Sequence, residues 1–157
     1  MASAVGGRPH QQSGRGPGSS VLLEVLVVLG ANPAYAGPAD LKIAEALDKV
    51  PLRVHHGLYL DETAERCHWH LPASHGLESW GDLRAADGTV SIVQPLIAPL
   101  YGTLSDIEVL AGFREGPQKG YDVVRAYWEA ELAAAEFAER WTRALHDGLV
   151  AGTAFAA

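Results

Sequence analysis

A cysteine and several histidines gather in and just before one irregular stretch of the chain, residues 61–102. The set consists of Cys67, His68, His70 and His75, with His55 and His56 upstream. Thiolate and imidazole together suit zinc or copper, and on a short strand His68 and His70 would share a face. Against a metal site, C-H-x-H is not a usual spacing of structural zinc sites, and the chain has no second thiol. The alternative is a group of partly buried histidines that bond to loop carbonyls.

Two acidic segments of the same stretch could also do chemistry. Asp61-Glu62-Thr63 follows a predicted strand, where it could hold a polar ligand or cap the next turn. Glu78-Ser79-Trp80-Gly81-Asp82 could supply a general base or a hydrogen-bonding clamp. It could equally be a loop in which Trp80 is buried and the acids bond to turn amides. Ser74-His75 does not indicate a hydrolase, because neighbours in sequence rarely face each other productively.

Composition excludes several classes of function. The chain has 157 residues, with 12 basic and 19 acidic side chains and a formal charge of −7, which argues against a general nucleic-acid binder. A single cysteine excludes an internal disulfide and iron–sulfur ligation by this chain alone. No apolar run reaches the length of a membrane span. The Gly-, Ser- and Pro-rich residues 1–20 are predicted to be disordered, and residues 21–157 to form one domain.

The elements that must position these residues begin with a strand–helix–strand unit. Residues 21–29 form an aliphatic run typical of a strand covered on both faces, although a secretory-signal outline fits the same segment. A helix is predicted from Asp40 to about Val50, and a second strand over residues 52–59. Ligands in such sheets lie beyond the carboxyl ends of the strands, here residues 30–35 and 59–63. The LGANP turn could approach a phosphate but lacks the G-x-G-x-x-G spacing.

The rest of the chain predicts an irregular layer followed by helices. Residues 68–71 and 89–94 read as a third and a fourth strand, with turns at Gly81-Asp82 and Asp87-Gly88. The prolines of PLIAPLYG impose an extended course. The SDIE sequence at residues 105–108 is a capping box for a helix that ends near residue 112. Residues 121–146 then predict one long helix, so the fold class is α/β: a Rossmann-like parallel sheet with a βαβ unit, an irregular loop layer and a C-terminal helix.

Five segments in order carry a family resemblance. They are LVVLGANPAY, PADLKIAEALDKVPL, GLYLDETAERCHWHLPASHGLESWGD, DGTVSIVQPLIAPLYG and ALHDGLVAGTA. Together they resemble the molybdopterin-oxidoreductase-like iron–sulfur large subunit of the bacterial alternative complex III, in the dimethyl sulfoxide reductase superfamily. The resemblance covers residues 21–154. The first twenty residues do not match, and the chain is expected to be a fragment of that larger subunit.

The resemblance implies both a place and a site. It implies a scaffold or interface role in a respiratory quinol-oxidising electron-transfer complex, with other subunits as partners. The iron–sulfur clusters would lie elsewhere in the full-length subunit, and the location would be the periplasmic face of the cytoplasmic membrane. The residues carried over from the pterin site form a relic cofactor-binding set, with no catalytic residue and no bound cofactor. They are Gly30, Asn32, Pro33, Glu62 and Thr63.

Two other functions stay open at this stage. One is a fragment of a genuine molybdenum-dependent oxidoreductase that binds a pterin dinucleotide. The other is a small free-standing metal-binding protein that uses Cys67 and His70, with His68 as a further ligand.

Overall fold

The structure, a computed structural model, describes residues 2–3, 23–132 and 134–156. The chain divides into two compact units, Met1–Ala73 and Ser74–Ala157, each with a hydrophobic cluster of its own. The disorder predicted for residues 1–20 lies outside the described residues, apart from residues 2–3. None of the helices in the described ranges combines the length and the apolar character of a membrane span.

The first unit is built on a sheet with a parallel core. Its strands are β1 (Ala2–Ser3), β2 (Val25–Leu29), β3 (Leu52–Gly57) and β4 (Trp69–Pro72), in that spatial order. β2, β3 and β4 run parallel, whereas β1 pairs antiparallel with β2. Val27 and Val28 are both buried although they face opposite sides, which explains the continuous aliphatic run in the sequence. The predicted parallel sheet is confirmed in this unit.

The crossover from β2 to β3 differs from the single helix predicted between Asp40 and Val50. It consists of α1 (Pro33–Ala36), a 3₁₀ turn (Ala39–Leu41) and α2 (Ile43–Leu47). Lys42 lies between the last two with a left-handed φ of 45°, and this conformation interrupts the helix. Of the predicted apolar face, Leu47 and Val50 are buried against β2, whereas Leu41 is exposed.

The second unit contains an antiparallel sheet that the sequence did not predict. Its strands are β5 (Gly81–Arg84), β6 (Val90–Val93) and β7 (Leu149–Val150), in that order. The predicted fourth strand therefore exists as β6, but its partners run antiparallel to it. The turn predicted at Gly81-Asp82 is wrong, because these residues begin β5. The turn at Asp87-Gly88 is present, and Gly88 has the positive φ of 89° that glycine tolerates.

The described part of the second unit also contains three α-helices. They are α3 (Asp106–Glu115), α4 (Gly120–Glu131) and α5 (Phe137–Asp147). The Ser105–Glu108 capping box is present, but α3 continues past residue 112 and ends before Gly116. The single helix predicted over residues 121–146 is wrong: Leu132 adopts an extended conformation and separates α4 from α5. The predicted apolar stripe still packs against β6 and β7, through a cluster that includes Val124, Trp128, Leu132, Phe137 and Trp141.

Candidate functional site

The candidate site lies at the carboxyl ends of β2 and β3, where the chain turns away from the sheet. Gly30 has a φ of +58°, and its amide donates to the His56 carbonyl at 2.8 Å, so the turn after β2 is tied to the end of β3. Asn32 then caps α1, because its side-chain oxygen accepts from the Tyr35 amide at 3.3 Å. Pro33 occupies the first turn of α1, where a missing N–H costs nothing.

Three of the five residues predicted for the pterin site are joined by hydrogen bonds, and a fourth, Gly30, bonds to the end of β3. The Asn32 side-chain amide donates to the Glu62 carboxylate at 2.6 Å, and the Thr63 hydroxyl donates to the Asn32 side-chain oxygen at 2.8 Å. The Ala34 amide donates to the Thr63 hydroxyl at 3.0 Å. Thr63 is fully buried, so both of its bonds form away from water, where an unmade bond would be costly. The sequence prediction that residues 30–35 and 59–63 share one edge is therefore met by direct contacts.

Asp61 and Glu62 have different roles at this edge. One Asp61 oxygen accepts from the amides of Thr63 and Ala64, at 3.1 and 2.9 Å, so Asp61 caps the turn that leads into the short 3₁₀ helix Ala64–Arg66. Of the two alternatives for this segment, the capping role is thus present. The hydrogen bond from the Asn32 amide lowers the pKa of Glu62, which keeps this exposed carboxylate charged.

The polar atoms of this edge do not suit an anionic dinucleotide. The Gly30, Ala34 and Tyr35 amides, which could face a phosphate, donate to protein acceptors. Glu62 adds a charged carboxylate beside Asn32, and such a charge repels a pyrophosphate group. The pterin assignment for these residues stays a prediction. Their contacts form a network in which protein donors bond to protein acceptors.

The cysteine and histidines of residues 67–70 do not converge on one point. His68 accepts a hydrogen bond from the Arg53 amide through Nδ1, at 3.1 Å, whereas His70 pairs with His55. Burial raises the pKa of the Cys67 thiol and Asp61 adds to this effect, although Arg53 opposes it, so the reactive thiolate is disfavoured. Within the described ranges, no group of three His, Cys, Asp or Glu side chains could hold a metal ion.

A pair of imidazoles, one buried and one half-buried, is the feature of the first unit that sequence reasoning missed. His55 on β3 stands directly opposite His70 on β4, and their Nδ1 atoms are 2.9 Å apart. His55 Nε2 lies 3.6 Å from an Asp61 oxygen. Burial lowers the pKa of His55; the Asp61 carboxylate opposes this shift, and His70 adds to it. The signal in the sequence was a histidine doublet within a strand, but only the strand register reveals its partner.

In the second unit, the acids of residues 78–82 stabilise loops and core contacts. The two Glu78 oxygens accept from the His75 amide at 2.9 Å and the Leu100 amide at 3.1 Å, so they fix the loop that carries PLIAPLYG. An Asp82 oxygen accepts from the Trp128 indole at 2.8 Å. Trp80 packs edge-on against Tyr121 in the core. These contacts fit the structural alternative predicted for this segment.

The fold and the site define an α/β unit with a polar network at the carboxyl ends of its parallel strands. A curated relative carries a related sequence: the menaquinone reductase, molybdopterin-binding-like subunit of Nitratidesulfovibrio vulgaris (strain Hildenborough), which is 35% identical over 136 residues. The alignment covers 84% of this chain and 19% of the relative, so the chain spans about a fifth of that subunit's length. No protein-family model matches the chain. The similarity supports the molybdopterin-oxidoreductase-like family, but not alternative complex III in particular.

Proposed function

We propose that this chain is a structural part of a molybdopterin-oxidoreductase-like subunit in a quinone-linked respiratory complex. In this role it forms scaffold and interface, holds no cofactor of its own and catalyses no reaction alone. The relative is named for menaquinone reduction, whereas the sequence resemblance points to a quinol-oxidising complex. Both support a role for the chain next to quinone chemistry. Its location would be the periplasmic face of the cytoplasmic membrane, with the iron–sulfur clusters in other parts of the complex.

The observation that carries the proposal is the hydrogen-bond network in which Asn32 bonds to both Glu62 and Thr63. A binding site keeps donors and acceptors available for its ligand, whereas here the Asn32 side chain bonds to Glu62 and Thr63. The Thr63 hydroxyl also accepts from the Ala34 amide. The segments that follow two parallel strands are thereby joined by a bond between residues 30 positions apart in sequence. Residues inherited from a cofactor site would thus persist because the fold needs them.

Apolar side chains at the same edge support the interface role. Tyr35, Tyr59 and Leu60 are 76%, 77% and 68% exposed, and each lies in a segment that leaves the carboxyl end of a strand. Exposed aromatic and aliphatic groups beside polar side chains are typical of surfaces that bind other proteins. We expect this edge to contact another part of the complex.

The test is co-purification from the cells that produce the chain. A tag at the chromosomal locus should recover it from solubilised membranes together with cysteine-rich iron–sulfur polypeptides. Leu60→Asp should weaken this recovery, because it places a charge on the proposed interface. Leu52→Asp is the matched control, since Leu52 is 39% exposed at the opposite, amino end of β3. Recovery of the wild-type chain without partners would refute the proposal.

A further inference from the structure

Residues 95–104, which join β6 to α3 in the second unit, form an apolar loop that is largely open to water. Their sequence, PLIAPLYGTL, contains no charged residue. Leu96, Leu100 and Tyr101 are 77%, 71% and 80% exposed, and Ile97 is half exposed as well. Single exposed apolar side chains are ordinary on a protein surface, whereas a concentration of them within one short segment marks a site of interaction.

Hydrogen bonds hold the apolar loop in one conformation. The Leu96 amide donates to the Leu77 carbonyl at 2.8 Å. The Leu100 amide donates to a Glu78 side-chain oxygen at 3.1 Å. The two prolines of the loop restrict its backbone further. The apolar side chains are therefore presented in place before any partner binds, so that binding orders little of the loop and costs little conformational entropy.

The helix that follows the apolar loop carries apolar side chains on two sides. On the inner side of α3, Val109 is buried and Ile107 packs against the core of the second unit. On the other side, Leu110 and Phe113 are 46% and 53% exposed. These two residues are three positions apart, so they share one face, which we call the outer face of α3. A helix that is apolar on opposite sides is typical of an element packed between two layers of protein.

The charges near this surface indicate what kind of partner covers it. Residues 85–113 contain no lysine or arginine, whereas Asp106 and Glu108 carry negative charge in the first turn of α3. Surfaces that bind anionic membranes place basic side chains beside their apolar ones. Permanent protein–protein interfaces are instead apolar and poor in charge at their centre. The apolar loop and the outer face of α3 therefore fit a protein partner better than a lipid surface.

The length of the menaquinone reductase subunit points to the partner. The aligned residues make up 19% of that subunit, so about four-fifths of its polypeptide has no counterpart in the alignment. We propose that the apolar loop and the outer face of α3 bind a polypeptide segment that is similar in sequence to this remaining part of the relative. Leu100 and Tyr101 pack into an uncharged, apolar surface of that segment. This inference rests on the proposed function, and it adds a contact surface in the second unit to the one proposed for the first.

Photochemical cross-linking in the cells that produce the chain tests which partner is present. The tagged chain would carry benzoylphenylalanine in place of Tyr101 or, as the matched control, in place of Tyr127, which is 51% exposed on α4. We expect position 101 to form a covalent product with a polypeptide whose peptides align with the relative outside the matched residues, and position 127 to form little of it. A product with a second copy of this chain, with lipid or with an unrelated polypeptide would overturn the proposal, and so would the absence of any product.

A pair of leucine substitutions measures how much the surface contributes. Leu96→Lys should lower recovery of that polypeptide by about tenfold, because it removes an apolar contact and forces a charge into the interface. Leu83→Lys is the matched control, since Leu83 is 67% exposed on β5, and it should be recovered with its partners like the wild type. Both leucines are exposed, so neither substitution should change urea unfolding of the chain.

The same experiment separates this inference from the proposed function. If the wild-type chain recovers iron–sulfur partners but Leu96→Lys recovers every partner equally well, this inference is wrong and the proposed function stands. If the wild-type chain recovers no partner at all, both are wrong.

Discussion

Glu108 joins two helices of the second unit, and its removal should destabilise that unit strongly. One carboxylate oxygen accepts from the Ser105 amide and hydroxyl, at 2.8 and 2.9 Å, and completes the capping box of α3. The other oxygen accepts from the Gly120 amide at 2.9 Å, at the first residue of α4. Ser105 and Gly120 are buried, so these donors would find no water if the carboxylate were lost.

The magnitude follows from these three bonds. Loss of a helix cap costs about 1 kcal/mol, and an unsatisfied buried donor costs about 1–3 kcal/mol. Because the contributions overlap at Ser105, we expect Glu108→Ala to lower the free energy of unfolding by about 2–4 kcal/mol. Burial opposes the shift, but the hydrogen bonds from Ser105 and Gly120 lower the pKa of Glu108 below its usual 4.5. The ionised form therefore stabilises the fold above pH 4.5, and this contribution is lost as the pH falls further.

Urea unfolding followed by tryptophan fluorescence would measure the effect. Trp80, Trp128 and Trp141 all lie in the second unit, so the signal reports mainly on it. Glu131→Gln is the matched control, because this exposed side chain should change stability by less than about 0.5 kcal/mol. The difference between wild type and Glu108→Ala should shrink below pH 4.5. A loss no larger than that of the control at neutral pH would refute the reasoning.

Three further predictions concern single side chains. Thr63→Val should lower the free energy of unfolding by about 1–3 kcal/mol, and it should speed hydrogen exchange at the Ala34 amide, which loses its acceptor. Unchanged exchange at this amide would contradict the hydrogen-bond network. Because burial lowers the pKa of His55 below 6.5, the unfolded chain binds more protons than the folded chain, and the free energy of unfolding should fall as the pH drops below 6.5. This fall should be shallower in His55→Phe. Equal slopes in the two proteins would mean that another group titrates. Trp128→Phe should lower the free energy of thermal unfolding by about 2–4 kcal/mol, because it removes the hydrogen bond to the Asp82 carboxylate on β5 and leaves a cavity. Trp69 is 64% exposed, so Trp69→Phe should change this free energy little, and equal losses in the two variants would contradict the prediction.

The sequence predicted correctly those elements whose formation depends on residues close together in the chain. The aliphatic run of residues 25–29 could be read as a buried strand because it is apolar on both faces. The Ser105–Glu108 capping box predicted the start of α3, since its bonds lie within four residues. The LGANP turn placed Asn32 at the carboxyl end of a strand, where the structure has it.

Other features depend on contacts that are distant in sequence. β5 is largely exposed and has no apolar alternation, so its pairing with β6 left no trace in its residues. The break at Leu132 occurs in an alanine-rich segment without Gly or Pro, where helix propensity alone favours continuation. Lys42 interrupts the crossover helix although lysine is a good helix former. At Leu132, burial in the core cluster outweighs the local preference. Nothing in the structure explains the conformation of the exposed Lys42.

The candidate site, too, could be predicted only in part. Sequence reasoning placed Asn32, Glu62 and Thr63 near one edge from the topology of a parallel sheet. It could not show that these side chains bond to one another, because that depends on the conformations of two loops. The pairing of His55 with His70 required the register of β3 and β4, which no spacing in the sequence specifies.

Our central proposal is that Asn32, Glu62 and Thr63 derive from a pterin site and now serve the fold. The most direct test is the molybdenum and pterin content of the tagged chain, purified with its partners from its own cells. The account predicts far less than one molybdenum and one pterin per chain, while Thr63→Val lowers the stability of the first unit. One molybdenum and one pterin bound per chain, both lost in Thr63→Val, would contradict it and identify a working cofactor site.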